Sequence, residues 1–230
     1  GTAEMNASAI TDSLSGSGFV VLGNGTLTIG ADDGGGTFSG VITGTGIGGT
    51  IIKEGAATAV FSGANTYAGG TEINDGTLQI SQDVNLGAAG GQVSFDGGTL
   101  NTTANIPNMV REMTMGVGNG TIEVDGGTTL GIGGNIAGVG ELNKTGDGTL
   151  VLSGISSYDG TNVLAGVLSV GFNFNLGNAN GQLTIDGATL HTSNNFTTTR
   201  LTTIGPGGAT FDVDEVLLGA DHTHNGIIQG

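Results

Sequence analysis

The chain has no cysteine and no tryptophan, two prolines, and four basic residues among 230. Each shortage closes off a class of explanation. Without cysteine there is no disulfide framework, no thiolate metal site and no cysteine nucleophile. Four lysines and arginines against 20 acidic residues leave a formal net charge of −16. Such a chain repels phosphate backbones and anionic lipid, so nucleic acid and an anionic membrane surface are not expected partners. No run approaches the roughly 18 consecutive apolar residues of a membrane-spanning helix, so this segment is not expected to insert in a membrane. No secretory signal is visible at the start. Aromatic residues make up 4% of the chain, so its core must be built from small aliphatic side chains.

What the sequence has in excess is glycine, 49 residues, set between short apolar runs. Those runs alternate with period two, which argues for strands, and the glycines between them argue for tight turns. Two long stretches share one outline. Lys53 matches Lys144, Gly63 matches Gly154 and Tyr67 matches Tyr158, all at a spacing of 91 (144 − 53). One deletion later the spacing is 90, and Thr71 matches Thr161, Leu78 matches Leu168 and Asn85 matches Asn175. One more deletion gives 89, and Arg111 matches Arg200 and Asp125 matches Asp214. Residues 1–18 have no clear period and read as the remnant of a coil or a loosely ordered end. Residues 19–230 read as one continuous structure with two units, about 53–141 and 144–230.

The two copies agree on which side chains point inward. Leu150 and Leu152 pair with Ala59 and Phe61, Leu168 and Val170 with Leu78 and Ile80, and Leu183 and Ile185 with Val93 and Phe95. By the same parity Phe211 and Val213 are predicted inward, with Ile122 and Val124 as counterparts. A one-residue slip would turn every one of them outward, so the register is strongly specified. The nearest approach to a helical segment, Ala104 to Met115, is interrupted by Pro107. Repetition, glycine corners and the absence of a crossover helix favour an all-β solenoid, in which each coil rests on the next and none is stable alone. Gly1 begins in mid-pattern and the Ile227–Gly230 stretch looks like the opening of a further unit, so the chain is expected to be a piece of a longer array.

These residues resemble the passenger-associated transport repeat of bacterial autotransporters. In the second copy the resemblance rests on Lys144, Gly146, Gly148, Thr149, Leu150, Leu152, Ser153, Gly154, Tyr158, Gly160, Thr161, Gly166 and Leu168. In the first it rests on Asn65-Thr66-Tyr67 and Gly69-Gly70-Thr71, and both copies then carry Asn-Leu-Gly, at 85–87 and 175–177. The departures are Ala57, where the second glycine is missing, and Ser156-Ser157 in place of Asn-Thr. The resemblance implies a right-handed parallel β-helix within a passenger that crosses the outer membrane through a C-terminal β-barrel translocator of the parent chain. It implies display at the bacterial cell surface, with roles in secretion, adhesion, self-association or virulence, and host-surface or like-passenger contacts as partners.

No catalytic, cofactor-binding or metal residue stands out. All four basic residues fall at repeat-equivalent positions, Lys53 with Lys144 and Arg111 with Arg200. Recurrence favours a structural role, the stem packed and the head bonded to an acid or a carbonyl. The recurring acids Glu123, Asp125, Asp212 and Asp214 are the expected neighbours. Asp221-His222-Thr223-His224 offers two histidines on one strand face but no evident third ligand. His191 aligns with Asn101 and is expected to face solvent. Asp32-Asp33-Gly34 lacks the repeating nonapeptide of calcium-binding rolls. Gly44-Thr45-Gly46 has no following helix to cradle a phosphate, and Gly16-Ser17-Gly18 has no histidine partner. The expected function is a non-enzymatic stalk segment without cofactor. The alternative is a polysaccharide lyase or hydrolase using Arg111 or Arg200 beside Asp125 or Asp214; duplication of those residues counts against it.

Overall fold

The computed structural model describes residues 1–4, 8–194, 196–214, 223–224 and 226–230. Every strand pairing within it is parallel, and the described residues contain no α-helix. The chain winds through three faces in turn, which makes it a parallel β-solenoid of about ten coils.

The second face is unbroken. Its ten strands begin with Gly36–Phe38, Thr58–Phe61 and Thr77–Ile80, and they end with Thr202–Ile204 and Ile228–Gln229. The first face stacks seven strands from Ala9–Thr11 to Ile136–Gly138. The third face opens with three strands ending at Val41–Thr43 and resumes with six, from Ile106–Met109 to Ala209–Val213. Residues 2–4 and 9–11 join the solenoid at its N-terminal end, pairing with Phe19–Val21 and Thr26–Ile29. Pro107 lies in Ile106–Met109, the edge strand of its sheet, where a missing N–H is tolerated.

The alternation explains the interior. On the second face the inward row runs Ala59, Leu78, Leu100, Ile122, Lys144, Val163 and Ile185, one residue per coil. All of these are buried. The outward row beside it runs Thr58, Thr77, Thr99, Thr121, Asn143, Asn162 and Thr184, and the Asn162 amide donates to Asn143 Oδ1 at 2.9 Å. Like residues therefore stack at the roughly 4.8 Å spacing of neighbouring strands. Phe211 and Val213 depart from the predicted pattern and are exposed. Their strand is the last of its sheet, so their inward side rests on the coil below with no strand above among the described residues.

Two gaps in the faces are the distinctive feature. On the third face residues 62–70 run as an extended loop, and the next coil carries the 3-10 turn Asp83–Leu86. The Thr66 N–H donates to Ile42 O and the Asn65 N–H to Val84 O, so loop and turn occupy two successive rungs where strands would otherwise lie. The second gap is on the first face, where residues 153–160 and the turn Asn173–Leu176 follow Ile136–Gly138. There the Ser157 N–H donates to Ile136 O and the Ser156 N–H to Phe174 O.

The two sequence repeats thus lie on different faces. Thr58, Thr77, Thr99, Thr121 and Asn143 stack, so four coils take 85 residues (143 − 58). The repeat takes 91, and the surplus of six carries the chain from one face to the next. Lys53 lies on the first face and Lys144 on the second. One repeat equals four coils and one further face.

Candidate functional site

Each gap is held by the same buried polar set, built from residues the repeat places one or two coils apart. The lysine comes first. Lys53 lies in the inward row between Ile29 and Ile73, and Lys144 lies between Ile122 and Val163. Both are fully buried. The stem fills the place of an aliphatic side chain, and the ammonium reaches the corner carbonyls. Lys144 Nζ donates to the carbonyls of Thr145 (2.7 Å), Gly146 (2.7 Å) and Ala165 (3.1 Å). Lys53 Nζ makes the matching bonds to Glu54, Gly55 (2.5 Å) and Asp75 (3.3 Å). Burial pulls the Lys144 ammonium down to about 8, against the opposing pull of Asp147 and Glu123. Burial also lowers Lys53, where Asp75, Glu54 and Asp33 oppose it.

Next come tyrosine and asparagine. Tyr67 and Tyr158 are fully buried in the gaps, and their hydroxyls bond Thr71 Oγ1 (2.8 Å) and Thr161 Oγ1 (3.0 Å). Burial raises both phenols above their ordinary value. Asn85 folds its own turn: Oδ1 accepts from the N–H groups of Ser81 (3.1 Å) and Gln82 (2.9 Å), and Nδ2 donates to Gly63 O (2.9 Å). Asn175 repeats this with Gly171, Phe172 and Gly154. An aspartate in its place would keep the acceptor and lose the donor. Gly87 and Gly177 end the turns at φ +82° and +80°, and a Cβ there would meet the carbonyl oxygen of Tyr67 or Tyr158 at 2.3 or 2.4 Å.

The arginine closes the set from the following coil. Arg111 is 1% exposed and Arg200 2%. Arg111 Nη1 donates to the carbonyls of Ala88 (2.6 Å) and Gly91 (3.1 Å), and Nη2 to those of Asp83 (3.0 Å) and Gly87 (2.7 Å). Its Nε donates to the Asp83 carboxylate. Arg200 makes the same five bonds, to Asn178, Gly181, Asn173 and Gly177 carbonyls and, from Nε, to Asn173 Oδ1 at 2.8 Å. Burial lowers the Arg200 guanidinium, and Tyr158 opposes the shift. The fixed fork of a guanidinium matches this fan of carbonyls, where an ammonium could not reach them all.

The expected acidic neighbours of the arginines are not the ones found. Arg111 pairs with Asp83, and the equivalent of Asp83 in the second copy is the neutral Asn173. Asp125 instead accepts from Asn101 Nδ2 at 2.9 Å, and Asp214 lies 3.2 Å from His191 Nε2. These two contacts are repeat equivalents. His191 keeps the outward parity expected of it, but is half-buried there in a ladder, with Nδ1 2.8 Å from Ser169 Oγ.

Both arginines have their donors committed to the fold and are buried, so neither is placed as a base beside Asp125 or Asp214. Ser169, His191 and Asp214 lie in a line, but Ser169 is buried in a strand whose N–H groups serve the sheet, so no oxyanion donors converge there. Asp33 is a corner residue at φ +63° whose Oδ1 accepts from the Ala56 N–H. No group of three or more potential metal ligands occurs among the described residues. Asp221 and His222 lie outside the described residues.

A stack of coils pinned at set intervals by buried Lys, Tyr, Asn and Arg defines a β-solenoid repeat protein. The passenger-associated-transport-repeat matches residues 51–80 and 142–170, which carry the lysine and tyrosine of each set, while the asparagine and arginine of each set follow beyond the match. The chain is also 43% identical over 133 residues to the adhesin BmaC autotransporter of Brucella suis biovar 1 (strain 1330). That match takes in 53% of this chain and 4% of the relative's length. No solved structure matches the chain. The chain thus carries two passenger-associated transport repeats and is similar, over about half of its own length, to a small part of an autotransporter.

Proposed function

We propose that this segment is a non-enzymatic stalk within an adhesin passenger displayed at the bacterial cell surface through the outer membrane. One observation carries the reading: every lysine and arginine is buried in a repeat-specific staple, so the cationic side chains of the chain are spent on holding coils together. A stalk needs stiffness and regular rise, and the staples supply both. The similarity to a relative named as an adhesin supports the setting, and the repeat's own description supports a part in transport of the passenger.

The test fuses the chain to an outer-membrane translocator barrel in a Gram-negative host. The stalk reading expects the segment to become accessible to externally added protease, and expects the purified chain to release no unsaturated or reducing products from acidic polysaccharides. Steady product formation would overturn it in favour of an enzyme.

A further inference from the structure

The two repeats act as internal controls for each other, and one outward facet differs between them. The turns share the same asparagine, glycine, tyrosine and arginine scaffold. Outside that scaffold the first copy carries Ala64, Gln82 and Val84, where the second carries Ile155, Phe172 and Phe174. The scaffold is therefore indifferent to the larger side chains. Phe172 and Phe174 are each 45% exposed and stack on one another with centroids 5.0 Å apart and an interplanar angle of 15°. Ile155 is 67% exposed, and the Ser156 N–H bond to Phe174 O brings the rungs together. Large apolar side chains clustered and preordered on a surface mark an interaction site.

Charge decides the occupant. All four lysines and arginines are buried, so the accessible surface of a chain of net charge −16 offers carboxylates and no accessible Lys or Arg among the described residues. On this facet Asp83 has become Asn173, and Ala68 has become the exposed Asp159, which alternates outward with Ile155 and Ser157 along one rung. A second copy of the chain would be repelled. A positively charged partner is drawn in by the field and needs an apolar anchor at close range. We infer that Phe172, Phe174 and Ile155 form a docking surface for a basic amphipathic segment of another protein, its aliphatic side chains on the rings and its lysines or arginines towards Asp159 and the acidic field of the chain. The inference goes beyond the stalk reading: it gives one facet of the stalk a partner and names that partner's chemistry.

The probe is a synthetic peptide of alternating lysine and leucine, titrated into the intact chain by fluorescence anisotropy. Binding is expected, weakening as salt is raised. The double variant Phe172→Gln with Phe174→Val restores the first copy's residues on the same scaffold and is expected to bind at least about tenfold more weakly. Hydroxyl-radical footprinting of the unmodified chain supplies a reading that does not depend on the variant folding: peptide is expected to protect both rings. Equal binding by the double variant, unprotected rings, or equal binding of a glutamate–leucine peptide would overturn the inference. So would ring-dependent binding confined to neutral oligosaccharides or to a second copy of the chain. None of those outcomes yields polysaccharide cleavage products, so the stalk reading fails only by its own test.

Discussion

Arg111 and Arg200 show how much of the repeat's stability sits in single side chains. Each places five donors on acceptors, and two of these, the carbonyls of Gly87 and Gly91 for Arg111 and of Gly177 and Gly181 for Arg200, are buried away from water. Removing either leaves several carbonyls unpaired, so Arg111→Ala and Arg200→Ala should each destabilise the chain by on the order of 3–5 kcal/mol, read as a fall in the urea midpoint. The counter-ion matters far less than the fork. Asp83 is partly exposed and its equivalent is Asn173, so Asp83→Asn should change stability by less than about 1 kcal/mol. A loss as large as that of Arg111→Ala would mean that the ion pair carries the site. The lysines predict a pH dependence. In the folded chain Lys144 titrates at about 8, below its ordinary 10.5. Between those values the unfolded chain holds a proton that the folded chain has released, so stability should rise with pH across that window. Above about pH 10 the sign reverses: the unfolded chain loses phenol protons that buried Tyr67 and Tyr158 keep. Urea midpoints measured from neutral to alkaline pH should therefore climb and then fall, and Lys144→Met should reduce the climb to the part that the likewise lowered Lys53 supplies.

At the scale of the element, the 3-10 turns replace strands without opening the core. Leu86 and Leu176 enter the interior where a strand side chain would lie, and both are buried. The turn then has to return the chain to the next face beneath the tyrosine carbonyl, which requires a positive φ and no Cβ. Gly87→Ala or Gly177→Ala should cost about 3 kcal/mol or more, from backbone strain together with a clash on a carbonyl that cannot move. Gly127 is the control: it has φ +78° but nothing within 4 Å of an added Cβ, so Gly127→Ala should lose about 1–2 kcal/mol. Thermal unfolding of the three variants separates the two contributions, and equal losses would show that the tyrosine carbonyl yields.

Across the whole molecule, the repeat and the coil have different lengths, and the difference sets where features appear. The loop, the turn and the arginine recur one face further on, so a surface placed on one turn is presented in a new direction on the next. Because each coil contacts its neighbours alone, whole repeats should be removable. Deleting residues 53–143, a full period of 91, joins Ile52 to Lys144 and leaves one complete staple set. The shortened chain should keep a β circular-dichroism spectrum and unfold with a denaturant dependence reduced in step with its length. Loss of the β signal would show that the two repeats depend on each other beyond their shared boundary.

Strand parity was legible in the amino-acid order because alternation has period two: Leu150, Leu168, Leu183, Phe61 and Phe95 are buried as the pattern predicts. The paired recurrence of Lys53 with Lys144 and Arg111 with Arg200 likewise pointed to structural roles without coordinates. Tertiary structure alone decided the rest. It chose Asp83 as the partner of Arg111, 28 residues away in the chain, since only winding brings the two coils together. It exposed Phe211 at the end of its sheet and drew His191 into a ladder with Ser169 and Asp214. It also set the one-face advance of the repeat, because that depends on how many residues each corner takes up, and corner geometry is a property of the closed coil.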